Sequence, residues 1–442
     1  MGAVLSLTHK KDMKTYEEIE QYILDIPKFA GKNTLEDTAE LLKMLTGDRI
    51  KSKIIHVAGT NGKGSVCAYL RSALMESGYS VGMFTSPHLE TMRERICIGN
   101  DMISKKEFVN IFKKVQEVIG ERNHPSFFEF LFLMAMTWFE EEKPEYIILE
   151  TGLGGRLDAT NCIERPKLCV ITEIGYDHMQ YLGNSLAEIA AEKAGIIKRG
   201  VPVVFVDKRK ESTEVLAEYA KKAQSPAIMI GKDNILHVNI NNKSIDFSLH
   251  TGYYNYVSLL LPTTALYQTE NAALAVAALE ALKDVKVTET TIRRGLQHAC
   301  WPGRMEEALP GIYLDGAHNE DGIEAFLNTV KKDDCKGRRF LLFGVVRDKR
   351  YDVMSQRIAE SGLFSETAIT FLETDRSASI NELKTVWGQY AGAKCSFYEC
   401  AKEAYGHLTA LKKSEDVIYI AGSMYLIGQM KSLMRRKQDD RF

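Results

Sequence analysis

The stretch Ile54–Leu70, "IIHVAGTNGKGSVCAYL", decides how this chain is expected to fold. An apolar run leads into a glycine-rich loop that contains Lys63, and a helical pattern follows, as in a phosphate-binding loop. The spacing differs from the pattern G-x-x-x-x-G-K-[ST], because Val57 occupies the first glycine position and Gly64 separates the lysine from Ser65. Two interpretations are therefore open, a nucleotide site and a tight strand-to-helix turn.

The composition of the loop favours a nucleotide site. Glycines allow backbone N–H groups to approach an anion at the start of a helix, and a lysine can reach the outer phosphates. A tight turn would explain the glycines but not the position of Lys63 between Gly62 and Gly64. The strand and helix patterns on either side are the context that such a loop requires.

The pattern along the chain predicts an α/β fold. Short apolar runs such as "KIIHVAG", "EYIILET" and "KLCVITEIG" alternate with helical segments such as "FFEFLFLMAMTWFEEE" and "SLAEIAAEKAGIIK", which is typical of a mostly parallel sheet. The pattern changes over residues 230–262, where "ILHVNI" and "SIDFSLH" around "NNK" indicate a β-hairpin, and a new alternation starts near residue 300. We therefore expect a P-loop ATPase domain over residues 1–299 and a smaller Rossmann-like α/β domain over residues 300–442.

The bulk composition is that of a soluble globular protein. The 442 residues are 45% hydrophobic and 26% charged, and the formal net charge of −2 gives no indication of a nucleic-acid partner. The eight cysteines form no C-x-x-C pair, which favours reduced thiols in a cytoplasmic protein. No apolar run reaches the roughly 20 residues of a membrane-spanning helix. We expect a monomer without a membrane or nucleic-acid partner.

A second glycine-rich stretch, "ILETGLGGRLDATN" at residues 148–161, also follows a strand pattern. Gly152 and Gly154 begin a G-x-G-x-x-G dinucleotide motif, but Leu157 occupies the third glycine position, so a dehydrogenase is disfavoured. Glu150 is the more informative residue, because it lies at the carboxyl end of a strand, where open α/β sheets bind their ligands.

Asp177 and His178 directly follow another strand pattern, in "ITEIGYDHMQYLG". An isolated histidine near an apolar strand is usually a hydrogen-bonded structural residue. Here the histidine is expected at the same sheet edge as Glu150 and the phosphate loop. That shared position favours a metal-binding role.

Eight motifs together resemble one family. They are "AGTNGKGS", "FTSPHL", "ETGLGGRLDATN", "GYDHMQYLG", "AEKAGIIK", "TENAALA", "WPGRME" and "DGAHN", and they occur in the order typical of folylpolyglutamate synthases and dihydrofolate synthases. These enzymes belong to the ATP-dependent Mur ligase superfamily, in which a shifted loop with Gly-Lys-Gly-Ser is usual. The resemblance extends from about residue 20 into the C-terminal third.

The resemblance implies roles for individual residues. The ATP contacts would be Asn61, Gly62, Lys63, Gly64, Ser65, Asn271, Arg304 and Asp315, the last two from the C-terminal domain. Two magnesium ions would be held by Ser86, Glu150 and His178, with Lys193 contributing a carbamate. Lys63, Lys193 and His318 would be catalytic. The segments that contain Phe128, Glu129, Leu157, Asp158 and Ala159 would line the pterin side of the cleft.

The surroundings of Lys193 are compatible with a carbamate. The residues one helical turn earlier, Ile189 and Ala190, carry no carboxylate that could pair with the lysine. A lysine among small residues can lie near a packed surface, where desolvation lowers its pKa and yields a neutral amine.

Two segments depart from the family pattern. Glu320 follows "DGAHN" where a proline is usual, which we interpret as a loop change without effect on catalysis. The segment "IPKFAGKNTLEDTAELL" matches loosely and leaves pterin contacts near Phe29 open.

The reaction that the resemblance implies is an ATP-dependent amide ligation. A folate carboxylate would attack the γ-phosphate to give an acyl phosphate and ADP, and the amine of L-glutamate would then displace phosphate. Whether dihydropteroate is also a substrate is open. The alternative is a nucleotide-gated binding or regulatory protein, but such a switch needs no second cluster of carboxylate, histidine and lysine.

Overall fold

The phosphate loop lies at the carboxyl edge of an eight-stranded sheet in the computed structural model of the protein. The structure describes residues 13–27, 33–47, 50–120, 122–241, 243–390, 392 and 394–439, so Phe29 lies outside the described residues. The strands of this sheet are β1 (Lys53–Ala58), β2 (Val81–Phe84), β3 (Ile96–Ile98), β4 (Asp101–Met102), β5 (Tyr146–Glu150), β6 (Leu168–Ile171), β7 (Val203–Asp207) and β8 (Ala227–Gly231).

The sheet has the order β4-β3-β2-β5-β1-β6-β7-β8. In this order, neighbouring strands are parallel from β2 through β5, β1, β6 and β7 to β8. At the other edge of the sheet, the pairs β2–β3 and β3–β4 are antiparallel. The helices of this part of the chain are α1 (Tyr16–Asp25), α2 (Leu35–Thr46), α3 (Lys63–Glu76), α4 (Lys105–Ile119), α5 (Phe127–Glu142), α6 (Met179–Leu182), α7 (Leu186–Ala194) and α8 (Lys210–Lys222).

Both faces of the sheet are covered because successive side chains of its central strands point to opposite sides. Ile55 and Ile148 belong to a core that includes residues of α3, and Ile54 and Leu149 belong to a second core that includes residues of α5. The continuous apolar runs in the sequence are therefore explained by burial on both sides.

A small antiparallel sheet follows, with β9 (Ile235–Asn241), β10 (Ser244–His250) and β11 (Asn255–Leu261) in the order β11-β10-β9. The predicted hairpin is present as β9 and β10, and β11 is an additional strand. Two helices lead back to the main sheet, α9 (Tyr267–Ala281) and α10 (Glu289–His298). Residues of α9 and α10 share the core of α3.

The C-terminal part forms a second sheet, in the order β12-β13-β17-β14-β15-β16. Its strands are β12 (Arg304–Leu309), β13 (Ile312–Asp315), β14 (Arg339–Phe343), β15 (Glu366–Thr370), β16 (Cys395–Tyr398) and β17 (Val417–Ala421). Its helices are α11 (Glu320–Lys331), α12 (Tyr351–Ser361), α13 (Ile380–Trp387), α14 (Ala401–Leu411) and α15 (Met424–Asp439). Only the β12–β13 pair is antiparallel.

The predicted fold class is thus confirmed, with a mostly parallel sheet followed by a smaller α/β unit. None of the helices in the described part of the chain is long and apolar enough to cross a membrane. All eight cysteines are free thiols; three of them are buried, and Cys300 is exposed.

Helix α10 packs so closely on α3 that its glycine has no room for a side chain. A Cβ on Gly295 would lie 2.4 Å from the Cα of Ala73. We expect Gly295→Ala to lower the free energy of unfolding by about 1–3 kcal/mol, because overpacking forces the backbones apart. Gly406 in α14 is the matched control, since a Cβ added there would have no atom of another element within 4 Å.

In the control, Gly406→Ala should raise the free energy of unfolding by about 0.5–1 kcal/mol, because alanine loses less backbone entropy in a helix. Urea denaturation of the two variants measures both effects. Equal stability changes in the two variants would contradict the close packing of α10 on α3.

Candidate active site

At each glycine of the phosphate loop, a neighbouring side chain lies too close to leave room for a Cβ atom. A Cβ would lie 1.8 Å from Thr172 Oγ1 at Gly59, 2.2 Å from Asn271 Oδ1 at Gly62 and 2.7 Å from the Trp301 ring at Gly64. Gly62 also adopts a left-handed conformation, with φ of +90°, directly before α3. The tight turn and the nucleotide loop are therefore compatible, because the same glycines serve both.

Two lysine side chains converge on one carbonyl of this loop. Gly59 O accepts hydrogen bonds from Lys63 Nζ at 3.2 Å and from Lys193 Nζ at 2.8 Å. Lys63 Nζ also donates to Thr60 O at 3.2 Å and lies 4.0 Å from Glu150 Oε1. The end of β1 thus concentrates positive charge at the start of α3.

Glu150 lies buried at the carboxyl end of β5, with 2% of its surface exposed. Burial raises the pKa of its carboxyl group, and Lys63 and the Ser86 backbone N–H partly offset this. Ser86 N donates to Glu150 Oε2 at 3.0 Å, so the residues predicted from two separate motifs are in contact. The carboxylate keeps lone pairs that could bind a cation.

Lys193 is buried on the last turn of α7, with 4% of its surface exposed. Burial, with a further contribution from Lys63, lowers the pKa of its amine to about 7. Its Nζ donates to a backbone carbonyl rather than to a carboxylate. The expectation of a buried, unpaired lysine among small residues agrees with this position.

Asp177 joins groups from both sheets. Its carboxylate pairs with Lys349, which follows β14, and it accepts from Asn319 Nδ2 at 3.3 Å. Although burial raises the pKa of Asp177, the charge of Lys349 and the two nearby histidines bring it well below its usual range. His178 Nε2 and His318 Nε2 lie 3.9 and 3.8 Å from its oxygens.

Both histidines are neutral at physiological pH. Burial lowers the pKa of His178 to about 4 and that of His318 to about 3, and the charge of Lys349 acts in the same direction. His318 Nδ1 lies 2.7 Å from Gly316 O, so this nitrogen carries the proton and donates it to the carbonyl. The Nε2 of His318 is left as an acceptor near Asp177.

The residues predicted to contact the nucleotide come from both sides of the cleft. Ser65 Oγ accepts from Gln268 Nε2 at 3.1 Å, and Gln268 Oε1 accepts from Asn271 Nδ2 at 2.9 Å. Asn61 Oδ1 accepts from Asn319 Nδ2 at 2.9 Å, which connects the phosphate loop to the N-terminus of α11.

Asp315 lies at the end of β13, opposite Arg304 of β12 in the antiparallel ladder. Its carboxylate accepts from Tyr267 Oη at 2.6 Å and from the backbone N–H groups of Met305 and Ala317. These bonds hold the carboxylate at the cleft.

One cavity of about 160 Å³ brings most of these residues together. Its lining includes Asn61, Gly62, Lys63, Gly64, Ser65, Ser86, Glu150, His178, Lys193, Asn271, Arg304, Asp315 and His318. All predicted nucleotide, metal and catalytic residues thus lie around one cavity between the two sheets. A second cavity of about 270 Å³ adjoins it, and Ser65 and Arg304 line both.

The five residues predicted on the pterin side do not line this cavity. Phe128 packs on Gly152, where a Cβ would lie 2.6 Å from its ring, and Leu157 is 51% exposed. Glu129 and Ala159 are buried. Glu129 accepts from Ser126 N, and Asp158 accepts from the N–H groups of its own loop, so both carboxylates serve local structure.

The donor set fits a magnesium ion that is shared with a substrate. Among the described residues, no group of three or more His, Cys, Asp and Glu side chains could hold a metal by itself. Magnesium is usually bound by one or two carboxylates together with substrate phosphates and waters rather than by an all-protein cage. Glu150 and the Ser86 hydroxyl beside the phosphate loop match that requirement.

Sequence reasoning missed several residues of the cleft. Lys349 pairs with Asp177, and Arg209 forms a bidentate pair with Asp321 at 2.5 and 3.2 Å. The sequence points to Asp177 but gives it no role. Lys349 follows the apolar run "RRFLLFGVV", and a charged residue just past a buried strand is the signal that could have indicated it.

Family models cover both parts of the chain. The Mur ligase middle domain matches residues 57–279, and the Mur ligase glutamate ligase domain matches residues 303–424. The first match alone spans half of the chain. The fold and the site therefore define a Mur-type ligase.

Individual relatives are more specific. The dihydrofolate synthase/folylpolyglutamate synthase of Bacillus subtilis is 34% identical over 95% of this chain and 99% of its own length. Escherichia coli FolC in complex with DHPP and ADP superposes with a TM-score of 0.85 at 25% identity, over 96% of this chain and 99% of that one. Mycobacterium tuberculosis folylpolyglutamate synthase complexed with ADP gives 0.87 at 26% identity, over 95% and 98%.

The chain therefore belongs to the folylpolyglutamate synthase/dihydrofolate synthase family of Mur ligases. The resemblance predicted from its motifs is confirmed, and the chain is an ATP-dependent ligase. The alternative, a nucleotide-gated binding protein without ligase activity, finds no support in these matches.

The low pKa of Lys193 makes a prediction about stability. Below pH 7 the folded protein must bury a cation. Because a pKa difference of one corresponds to about 1.4 kcal/mol, lowering the pKa from 10.5 to about 7 corresponds to about 5 kcal/mol, and Lys193→Met should raise the free energy of unfolding by up to this amount. Between about pH 7 and 10.5 the unfolded wild type binds more protons than the folded one, so its stability rises with pH and the difference shrinks.

Urea denaturation at pH 6, 8 and 9.5 in buffer free of carbon dioxide would measure this difference. Lys106→Met is the matched control, because it makes the same substitution at a lysine that is exposed on α4 rather than buried. A constant difference for Lys193→Met over this pH range would show that the amine stays charged in the folded protein.

Proposed function

We propose that the protein joins L-glutamate to the carboxylate of a folate, with ATP as the source of energy and an acyl phosphate as the intermediate. The observation that carries this proposal is the single cavity in which Lys63, Glu150 and His318 meet. Phosphoryl transfer depends on positioning and on charge neutralisation more than on a nucleophilic side chain, and the cavity supplies both.

The phosphate loop would hold the triphosphate. Gly62 and Gly64 bring backbone N–H groups at the start of α3 close to the ligand, and the N-terminal end of a helix favours anions. Lys63 and Arg304 would offset the repulsion between the triphosphate and the approaching substrate carboxylate. Asn271 and Asp315 would contact the nucleoside from opposite sides of the cleft.

Magnesium fits this site and would be held by Glu150, Ser86, His178 and a carbamate on Lys193. Bound there, it would neutralise charge on the phosphate oxygens during transfer. The protein's own contribution is to bury Glu150 next to Lys63 and to enclose the cleft between two sheets, which would keep water from the acyl phosphate.

His318 and Asp177 offer a place for the incoming amine. His318 Nε2 and Asp177 Oδ2 are both acceptors and lie 3.8 Å apart, too far for a bond to each other. An ammonium or amine could donate to both. In this proposal His318 and Asp177 orient the glutamate amine, while Lys349 keeps Asp177 ionised.

The two parts of the chain would have different roles. Residues 1–299 would form the ATP-binding domain and residues 300–442 the glutamate-ligase domain, which contributes Arg304, Asp315 and His318. We also propose that the protein is a monomer located in the cytoplasm, as expected from the sequence. The segments around Phe128 and Leu157 would line the pterin side of the cleft.

An ADP-release assay tests this function. Tetrahydrofolate and dihydropteroate are offered separately, each with and without L-glutamate, and ADP release that requires both the pterin and glutamate supports the proposal. Lys63→Ala should lower the rate roughly 10²–10³-fold, because it removes a charge that stabilises the transition state. Lys106→Ala, on the exposed face of α4, is the control and should leave the rate unchanged.

Thermal melting distinguishes lost function from lost structure. Lys63→Ala should melt near the wild type, since its amine donates to backbone carbonyls of its own loop and lies 4.0 Å from the buried Glu150, beyond hydrogen-bond distance. A variant that melts normally and keeps wild-type turnover would overturn the role of Lys63. ADP release that ignores both pterin and glutamate would overturn the proposed reaction.

A carbamate on Lys193 gives a separate prediction. Its buried amine with a pKa of about 7 is substantially neutral at physiological pH and can add carbon dioxide. Activity should be lost in Lys193→Ala and partly restored by short carboxylic acids. With ¹³C-bicarbonate, the wild type should show a carbamate carbon signal that Lys193→Ala lacks; identical spectra would exclude the modification.

A further inference from the structure

A buried hydrogen-bond relay connects the strand before the phosphate loop to the loop after β5. His56 lies on β1 and is fully buried, and its Nε2 is 2.7 Å from Thr160 Oγ1. Thr160 Oγ1 donates to Asp158 Oδ1 at 2.6 Å. Asp158 Oδ2 in turn accepts from the backbone N–H groups of Gly152 and Leu153 at 2.8 and 2.9 Å.

The direction of the relay follows from its donors. Asp158 Oδ1 accepts from Thr160 N as well as from its hydroxyl, so each carboxylate oxygen accepts two hydrogen bonds. Burial raises the pKa of this carboxyl group, and the hydrogen bonds act in the opposite direction by favouring the ionised form. The Thr160 hydroxyl therefore donates its proton to Asp158, and its oxygen accepts the hydrogen bond from His56. His56 Nε2 consequently carries the proton of the neutral ring.

The other ring nitrogen indicates that the relay has a function. His56 Nδ1 is buried and has no hydrogen-bond partner among the described residues. A buried polar atom without a hydrogen-bond partner lowers the stability of the fold, and an apolar residue at this place in β1 would avoid that loss. Stability alone thus does not account for a histidine, and the donation from Nε2 to Thr160 does.

The relay determines the position of a loop that borders the cleft. Residues 151–154 line the cavity. Gly152 lies against Phe128, and a Cβ on Gly155 would lie 2.8 Å from Glu192 O and 3.0 Å from Lys193 Cα. The loop therefore packs between the helix of Phe128 and the helix of Lys193 without slack, and its anchor is the Asp158 carboxylate.

We propose that His56 is a positioning residue that sets the pterin side of the cleft by holding Asp158 through Thr160. This inference rests on the proposed function, because it assigns the loop 151–158 to the folate substrate. His56 and Asp158 contact no reacting atom in this scheme. Through its carboxylate, Asp158 orients the backbone of Gly152 and Leu153 at the border of the cleft.

Valine and serine at position 160 test the relay in the full-length protein. Thr160→Val keeps the shape of the side chain but cannot donate to Asp158 or accept from His56, whereas Thr160→Ser keeps the hydroxyl. Thr160→Val should raise the KM for the folate about tenfold and leave the KM for ATP within about twofold, as expected for one buried hydrogen bond. Thr160→Ser should stay near the wild type.

The same comparison at His56 checks the first member of the relay. His56→Leu should reproduce the KM change of Thr160→Val, and His56→Gln, whose amide can donate at the position of Nε2, should restore much of it. A merely structural role would instead lower the active fraction, and with it kcat, without separating the two KM values.

Amide hydrogen exchange measures the loop directly and needs no activity. In Thr160→Val the peptide that contains Gly152 and Leu153 should exchange about tenfold faster than in the wild type, and in Thr160→Ser it should not. Unchanged exchange in Thr160→Val, or an equal rise of both KM values, would overturn the relay. If the wild type ligates no folate, the proposed function fails, and the exchange result still decides the relay.

Discussion

The carbonyl of Gly59 is the point on which the site depends. Two lysine amines, from α3 and α7, donate to this one oxygen. The Glu150 carboxylate lies 4.0 Å from the amine of Lys63. Burial and the nearby charge of Lys63 both disfavour a second cation here, which is why the pKa of Lys193 falls. Excess positive potential at the start of a helix is what a triphosphate requires.

The strand order explains how residues distant in the sequence reach this point. β1 lies between β5 and β6, so the carboxyl ends of these three strands place the phosphate loop, Glu150 and Asp177 side by side. The second sheet then contributes from its own strand ends, with Asp315 at the end of β13 and Lys349 after β14. The cleft thus lies between the edges of the two sheets, and ion pairs such as that of Asp177 with Lys349 connect these edges.

Sequence patterns predicted the fold well because most strands here are buried on both faces and most helices begin with clear signals. The Ser185–Glu188 capping box, for example, is present at the start of α7. The sequence patterns did not predict β11 or the short edge strands β3 and β4, because these strands carry no long, continuously buried apolar run. Resemblance located the cavity residues, but periodicity alone contains no information on which loops meet across two sheets.

The loop that follows β5 shows what physical geometry adds to motif matching. Asp158 belongs to a conspicuous motif, and its carboxylate accepts four hydrogen bonds from its own loop. A buried, saturated carboxylate is well suited to fix a backbone, and the backbone it fixes carries the glycines that pack on Phe128 and on α7. The polar residues of this motif therefore act on the cleft through the main chain of residues 151–154, which line the cavity.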